Sequence, residues 1–371
     1  MRLERLVLRD FRNYEQAEVI LSPSLNVFNG QNAQGKTNLI EAVYLLAIGR
    51  SFRTGDDQEL ARHGADAFRV AGDFCSADGV KIHVEYNAGG KGRDIRQNGV
   101  PLRRAHDLFG QVRVVLFSPD DLQLIKGGPE QRRAYLDLYL AQTNPQHRYA
   151  LYNLHRLLSQ RNEALRRIRD RLAGHEELAV WNETLIKRAV EVAGKRIAAL
   201  SVLGPLVSGY HQRLSGKREE ITLGYNLGGH MAAAPETDLP AYYREELIRR
   251  EKEEINRGLT LVGPQRDDIQ IGFSTGYELR SFGSQGQQRT AALSMKLAAV
   301  DFLRARTGEN PIVLLDDVLS EFDDTRKRAL LDLLIENVQT LITTANRGEF
   351  VAVSGCRAFL VERGRVREEM A

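Results

Sequence analysis

The stretch Gly30-Gln31-Asn32-Ala33-Gln34-Gly35-Lys36-Thr37 satisfies G-x-x-x-x-G-K-[ST] in full, and few eight-residue patterns restrict a fold as tightly. It follows the apolar run Leu25, Val27, Phe28 and precedes a helix-like stretch from Asn38 to Ile48, so the local order is strand, loop, helix. Glycine at both ends of the loop lets the backbone curl until its N–H groups point at one centre, and the start of the following helix adds further donors and the positive end of its dipole. The expectation is a nucleotide phosphate cradle. Lys36 is placed to reach the β- and γ-phosphates, and the Thr37 hydroxyl to ligate Mg2+.

Such a cradle needs acidic partners, and Ile312-Val313-Leu314-Leu315-Asp316-Asp317 reads as a buried strand ending in two carboxylates. The first acid, Asp316, is assigned to the metal shell and the second, Asp317, to the attacking water. Between these segments lies Ser281-Phe282-Gly283-Ser284-Gln285-Gly286-Gln287-Gln288-Arg289, followed by a helical run from Thr290 to Leu303. Small and amide residues at a helix start form a second anion-recognition element. One nucleotide does not need two cradles, so this element is expected to cap the γ-phosphate of a nucleotide held by another subunit.

The pattern divides the chain in three. Residues 1–120 alternate short strand signals (Leu3–Leu8, Ala17–Leu21, Leu25–Phe28, Phe68–Phe74, Val80–Tyr86, Asp94–Leu102 with an Asn98-Gly99 turn, Val112–Phe117) around the phosphate-loop helix. Residues 121–257 are helical. Leu151, Leu154, Leu158, Leu165, Ile168 and Leu172 recur at helical steps, interrupted by Arg161, and Leu178, Trp181, Leu185 and Val192 continue the stripe after Gly174. That stripe is either the core face of a helical domain or the seam of a protruding arm. Leu227-Gly228-Gly229 through Pro235 reads as a loop and Tyr242 to Asn256 as a charged helix, before residues 258–371 return to strands.

The 371 residues include 42% hydrophobic and 27% charged side chains, a profile suited to packed domains rather than to disorder. No apolar run approaches the roughly 20 residues of a membrane span and no leader pattern opens the sequence, so a cytoplasmic protein without a membrane role is expected. Cys75 and Cys356 are far apart and lack ligand spacing, which points to free thiols. A net charge of +3 leaves nucleic-acid binding to local patches: Arg50, Arg53, Arg103, Arg104, Arg132, Arg133, Arg161, and the run Arg166 to Arg171, itself most simply a solvated helix face. Histidines such as His155 and His211 read as packing or surface residues, not ligands.

The order of phosphate loop, Ser-x-Gly-Gln element and Asp-Asp strand resembles the ATP-binding-cassette ATPases of chromosome maintenance and repair, the relatives of SMC-family heads. Phe11-Arg12-Asn13-Tyr14, Gly49-Arg50-Ser51-Phe52-Arg53, Phe117-Ser118-Pro119-Asp120-Asp121-Leu122, Gly263-Pro264-Gln265-Arg266-Asp267-Asp268 and Leu315-Asp316-Asp317-Val318-Leu319-Ser320-Glu321-Phe322-Asp323 are similar to stretches of the bacterial RecF family. The resemblance runs end to end. It implies an α/β fold, an ABC-type P-loop ATPase head with mixed β-sheets and an inserted helical arm, and a recombination mediator that binds ATP and Mg2+. It further implies sequence-independent DNA binding at gaps, partnership with RecO and RecR, help in loading RecA, a place in the SOS response, and an ATP-dependent homodimer. By position, Ser284, Gly286 and Gln287 become signature residues acting in trans, Ser320 and Asp323 belong to the loop coupling the two sites, and Arg12 and Asn13 approach the nucleotide.

This chain also departs from the pattern. Gln265 stands where the family usually has His, and Thr343 and Thr344 follow Leu341-Ile342 where a cassette switch histidine is expected. The second acid is Asp317, one methylene shorter than the usual Glu, which favours slow hydrolysis and a switch over a motor. A transporter's nucleotide-binding subunit is the alternative, yet it accommodates the long helical segment poorly. A phosphotransferase kinase leaves Ser284 to Gln287 without a role.

Overall fold

The computed structural model describes residues 1–371 other than 91, 217–218, 230, 235, 322–326, 328–329, 331–337, 346–355 and 370–371. In chain order its strands and helices are β1 (Arg2–Phe11), β2 (Tyr14–Ile20), β3 (Leu25–Asn29), α1 (Lys36–Ile48), β4 (Ala67–Cys75), β5 (Lys81–Gly89), β6 (Gly92–Gln97), β7 (Val100–Pro101) and β8 (Val114–Phe117). Next come α2 (Gln123–Lys126), α3 (Pro129–Thr143), α4 (Pro145–Arg169), α5 (Glu177–Ser215), β9 (Ile221–Leu227), β10 (Met231–Ala233) and α6 (Leu239–Arg257). The chain continues through β11 (Asp268–Phe273), α7 (Leu279–Phe282), α8 (Gln285–Thr307), β12 (Ile312–Asp316), β13 (Thr340–Thr344), β14 (Arg357–Glu362) and β15 (Arg365–Glu369). Two compact units result, Met1–Asp121 with Ala299–Ala371, and Leu122–Ala298.

The first unit holds two sheets. One is antiparallel, in the order β2-β1-β4-β5-β6-β7, and its strands alternate core and solvent residues as a half-buried sheet must. Asn98 and Gly99, with φ of 50° and 78°, join β6 to β7 in the two-residue hairpin that Asn-Gly favours. The other sheet has the order β15-β14-β3-β13-β12-β8, with parallel pairing from β14 through to β8. Every residue of β3, β8, β12 and β13 is buried, which explains why these strands read as continuous apolar runs without alternation. The strand carrying the phosphate loop and the strand carrying Asp316 are thus separated by β13 alone.

The second unit packs α4 against α5 and α6 beside the small antiparallel sheet β10-β9-β11. Ala164, Leu165, Ile168, Leu178 and Ile255 form a buried cluster on which Trp181 and Ala173 pack, so the apolar stripe is a core face. Leu172 differs from expectation: α4 ends at Arg169, and Leu172 is 71% exposed beyond it. Arg161, which broke the stripe in the sequence, is instead fully buried. Its guanidinium meets Glu254 at 2.5 Å, Asn182 at 2.9 and 3.0 Å and the Thr260 hydroxyl at 3.0 Å. The segment after Leu227, expected as loop, forms the hairpin of β9 and β10. Because β9 also pairs with β11, residues 258–298 group with the helices, whereas the sequence pattern placed 258–371 together. Among the described residues no helix is long and apolar enough to cross a membrane.

Candidate nucleotide site

β3 ends at Asn29 and the chain turns at Gly30, whose φ is +152° and where a Cβ would lie 2.3 Å from the Val361 carbonyl oxygen. Gly35 has φ of +118°, and a Cβ there would sit 2.7 Å from the Asn13 amide. Only glycine fits either position. Ala33 also adopts a positive φ, 64°. No side chain caps the start of α1, so its first N–H groups remain available to an anion. The Lys36 ammonium folds back on the loop and donates to the carbonyls of Gly30 at 2.7 Å and Gln31 at 2.9 Å. Burial lowers its pKa, with Asp317 and Asp316 opposing that shift.

Across the sheet, Thr37 donates its hydroxyl hydrogen to Asp316 at 2.8 Å. Thr343 of β13 stands level with Asp316 in the ladder, donates to the same carboxylate at 2.9 Å, and accepts the Asp317 N–H at 2.9 Å. This threonine, noticed in the sequence only as an occupant of the switch-histidine region, therefore holds both acids in place. Burial raises the Asp316 pKa, against which the two hydroxyl donors work. Asp317 has φ of 52°, an uncommon conformation for a side chain with a Cβ, and its carboxylate has no hydrogen bond or ion pair among the described residues. Ser320 donates to the Asp317 carbonyl at 2.8 Å; Asp323 lies outside the described residues.

The Phe11–Tyr14 and Gly49–Arg53 segments meet at Glu41, a completely buried acid of α1 that sequence reading missed. Arg12 engages it with both arms of its fork at 2.7 and 2.8 Å and donates to the Glu59 carbonyl at 2.8 Å; Ser51 donates to it at 2.5 Å, and Arg53 lies 3.5 Å away. Arg12 is thus paired with Glu41 of α1. Asn13 donates to the Gln34 carbonyl at 2.8 Å, and Tyr14 donates to that of Gly35 at 3.0 Å. Burial pushes the Tyr14 phenol well above its ordinary pKa, so it remains a donor. Asn32, like Gln31, lies on the exposed rim of the loop.

In the second unit, Ser284 and Gln287 cap each other at the start of α8. The Ser284 N–H donates to the Gln287 side chain at 2.6 Å, and the Gln287 N–H donates to the Ser284 hydroxyl at 3.2 Å. The serine oxygen serves as acceptor there, which leaves its own hydrogen to donate outward. The Gln287 amide also donates to Glu219 at 2.6 Å, and the Gly286 carbonyl accepts from Thr290 at 2.8 Å.

The polar side chains of the Gly263–Asp268 segment are engaged within the second unit. Asp268 accepts both arms of Arg132 at 2.8 Å. Asp267 accepts from Tyr225 at 2.7 Å, Tyr243 at 3.3 Å and the Gly228 N–H at 2.8 Å. Gln265 donates to Val262. His211 is buried against Glu219, whereas His155 is exposed. Of the basic residues, Arg133 donates to the Asp267 carbonyl. Arg166, Arg167 and Arg169 pair with Glu163, Glu177 and Asp170; Arg50 and Arg103 are solvent-exposed or nearly so. Cys75 and Cys356 are free thiols.

A triphosphate and a divalent cation fit these residues. The loop's two glycine positions exclude side chains from the cradle, and the Thr37 hydroxyl beside the Asp316 carboxylate is the hard-oxygen donor pair Mg2+ prefers. Fold and site together define a phosphate-loop head of the class shared by RecF, RecN and SMC proteins, and the family described as the RecF/RecN/SMC N terminal domain matches residues 2–365. Within that class the chain belongs to the RecF family of DNA replication and repair proteins. It is 40% identical over 348 residues to the DNA replication and repair protein RecF of Halalkalibacterium halodurans, covering 93% of each chain. With the RecF of Heliobacterium modesticaldum the identity is 41% over 352 residues, 94% of each. A solved structure of the recombination mediator RecF with ATP, from the RecFOR pathway, superposes with a TM-score of 0.91 at 33% identity over 99% of this chain and 97% of that one. An SMC head bound to the C-terminal winged-helix domain of ScpA shares the fold at a TM-score of 0.58 and 15% identity, over 100% of this chain and 97% of that chain.

Proposed function

We propose that this protein is an ATP- and DNA-binding recombination mediator that works with RecO and RecR in gap repair, helps load RecA, and contributes to the SOS response from the cytoplasm. The observation that carries the nucleotide reading is that Thr37, beside Lys36 at the start of α1, donates to Asp316 at the end of β12, where Thr343 of the neighbouring β13 donates to the same carboxylate. A triphosphate in the loop would be held by the Lys36 ammonium, which here donates to the Gly30 and Gln31 carbonyls, and by the loop N–H groups. Bound Mg2+ supplies charge neutralisation at the phosphates, with Thr37 and Asp316 as its protein partners. Asp317 accepts the proton of the attacking water, and its short side chain suits slow turnover.

The Ser284 hydroxyl, with Gly286 and Gln287, completes the γ-phosphate site of a second copy, so ATP joins two protomers; Ser320 and Asp323 link the two sites. DNA is then held through its phosphates by basic surfaces that neither protomer assembles alone, giving sequence-independent and salt-sensitive binding. The test is sedimentation and duplex-DNA anisotropy with and without ATP. Wild type is expected to dimerise and retain DNA with ATP, Lys36→Met to do neither, and Ser284→Arg to bind ATP as a monomer. A Lys36→Met protein that behaves as wild type refutes the reading.

A further inference from the structure

Two turns from opposite ends of the sequence converge on one residue of the phosphate loop. The Gln34 carbonyl accepts from the Asn13 side chain at 2.8 Å and from the Gly364 N–H at 3.3 Å, and the Gln34 side-chain oxygen accepts the Arg363 N–H at 2.8 Å. Arg363 and Gly364 form the tip joining β14 to β15, with φ of 46° and 70°. The approach is close: a Cβ on Gly364 would fall 2.1 Å from the Asn13 carbonyl oxygen, and one on Gly30 would meet the Val361 carbonyl of the same hairpin. The next peptide is held as well, because Tyr14 donates to the Gly35 carbonyl.

These contacts fix direction. In a trans peptide the carbonyl and the following N–H point to opposite sides, and the described chain has no cis peptide. Drawing the Gln34 oxygen toward Asn13 and Gly364 therefore turns the Gly35 N–H to the other side, and the Gly35 oxygen, which accepts from Tyr14 and from the Asn38 and Leu39 N–H groups of α1, does the same for the Lys36 N–H. Those are amides on which a phosphate-binding loop depends.

We infer that the Arg363–Gly364 turn, through Gln34, is a positioning element that sets the direction of the phosphate-binding amides before any nucleotide arrives. The inference rests on the nucleotide-binding reading above. It assigns the C-terminal hairpin a part in nucleotide affinity although neither Arg363 nor Gly364 is needed to touch the ligand. Pre-organisation of this kind acts on affinity and leaves the reacting groups alone.

The experiment is ATP titration calorimetry on the full chain, with steady-state hydrolysis beside it, for wild type, Gln34→Met, Gly364→Ala and Lys36→Met. Gln34→Met keeps the side-chain bulk and removes the acceptor; its affinity is expected to fall about three- to tenfold, the worth of one lost hydrogen bond. Gly364→Ala forces the turn off the loop, and a fall of about tenfold or more is expected. In both, KM rises while kcat at saturation stays within about twofold, and the melting temperature without nucleotide stays at the wild-type value for Gln34→Met. Wild-type affinity in Gln34→Met and Gly364→Ala, with binding lost only in Lys36→Met, overturns the inference and leaves the nucleotide reading standing. A fall in kcat at unchanged KM also overturns it. A wild-type chain that does not bind ATP overturns both.

Discussion

Two of the Asp-Asp pairs in this chain, Asp316-Asp317 and Asp267-Asp268, each follow a residue stretch shared with the family, and their neighbours tell them apart. Asp268 is consumed by the two-armed grip of Arg132, and Asp267 by two phenols and a backbone N–H. Asp316 faces two threonine hydroxyls, and the Asp317 carboxylate has no partner among the described residues. Burial raises the carboxyl pKa at both Asp267 and Asp316, so titration does not separate them. What separates them is whether the negative charge is already answered. Asp268 is paired with a guanidinium and Asp267 with two phenols and a peptide N–H, whereas Asp316 accepts from two threonine hydroxyls alone, and the proposed Mg2+ role of Asp316 rests on that difference.

Three measurements sharpen that contrast. Arg132→Ala should destabilise the second unit most, by about 3 kcal/mol, because it strands a partly buried Asp268 and frees the Gly127 carbonyl. Denaturant unfolding checks it, and a change under ~1 kcal/mol would show the pair to be dispensable.

Next comes acid. Asp137 is buried, which alone would raise its pKa, but Arg196 and His147 outweigh burial and hold it at about 2 instead of 3.8. A depressed carboxyl pKa contributes stability above the unfolded value and loses it as pH falls through the folded one. About 2 kcal/mol should therefore disappear between roughly pH 4 and pH 2, and Asp137→Asn should flatten that limb of the stability profile. An unchanged limb in the variant breaks the assignment.

The smallest effect carries the opposite sign. Asp316→Asn removes a buried charge that only two hydroxyls meet, so the nucleotide-free protein should become more stable by about 1 kcal/mol while Mg2+-dependent ATP binding is lost. If Asp316→Asn destabilises as Arg132→Ala does, the distinction between the two pairs fails.

Much of this was readable in sequence because it depends on near neighbours. The phosphate loop, the strand before it, the helix after it and the helix start near Ser284 each lie within a few residues, and the buried strand ending at Asp316 shows as an unbroken apolar run. What escaped reading depends on distant partners. Arg161 seemed to interrupt an apolar stripe because Glu254, which neutralises it, is 93 residues away. Glu41 has its role because the segments around Arg12 and Ser51, 29 and 10 residues away in sequence, close on it. Thr343 gained its role from ladder register with Asp316, which periodicity does not encode. The β9–β10 hairpin was hidden by the glycines of its own turn, whose signal resembles that of an open loop.

The placement of β3 also sets a timetable. This strand leads into the phosphate loop near the start of the sequence, yet its two neighbours in the sheet are β13 and β14, made from residues 340–344 and 357–362. While the chain is being synthesised, β3 and its loop must wait for almost the whole polypeptide before they acquire walls. The site is thus assembled last although it is written first. A chain that stops before residue 340 lacks both strands that flank β3 in the sheet.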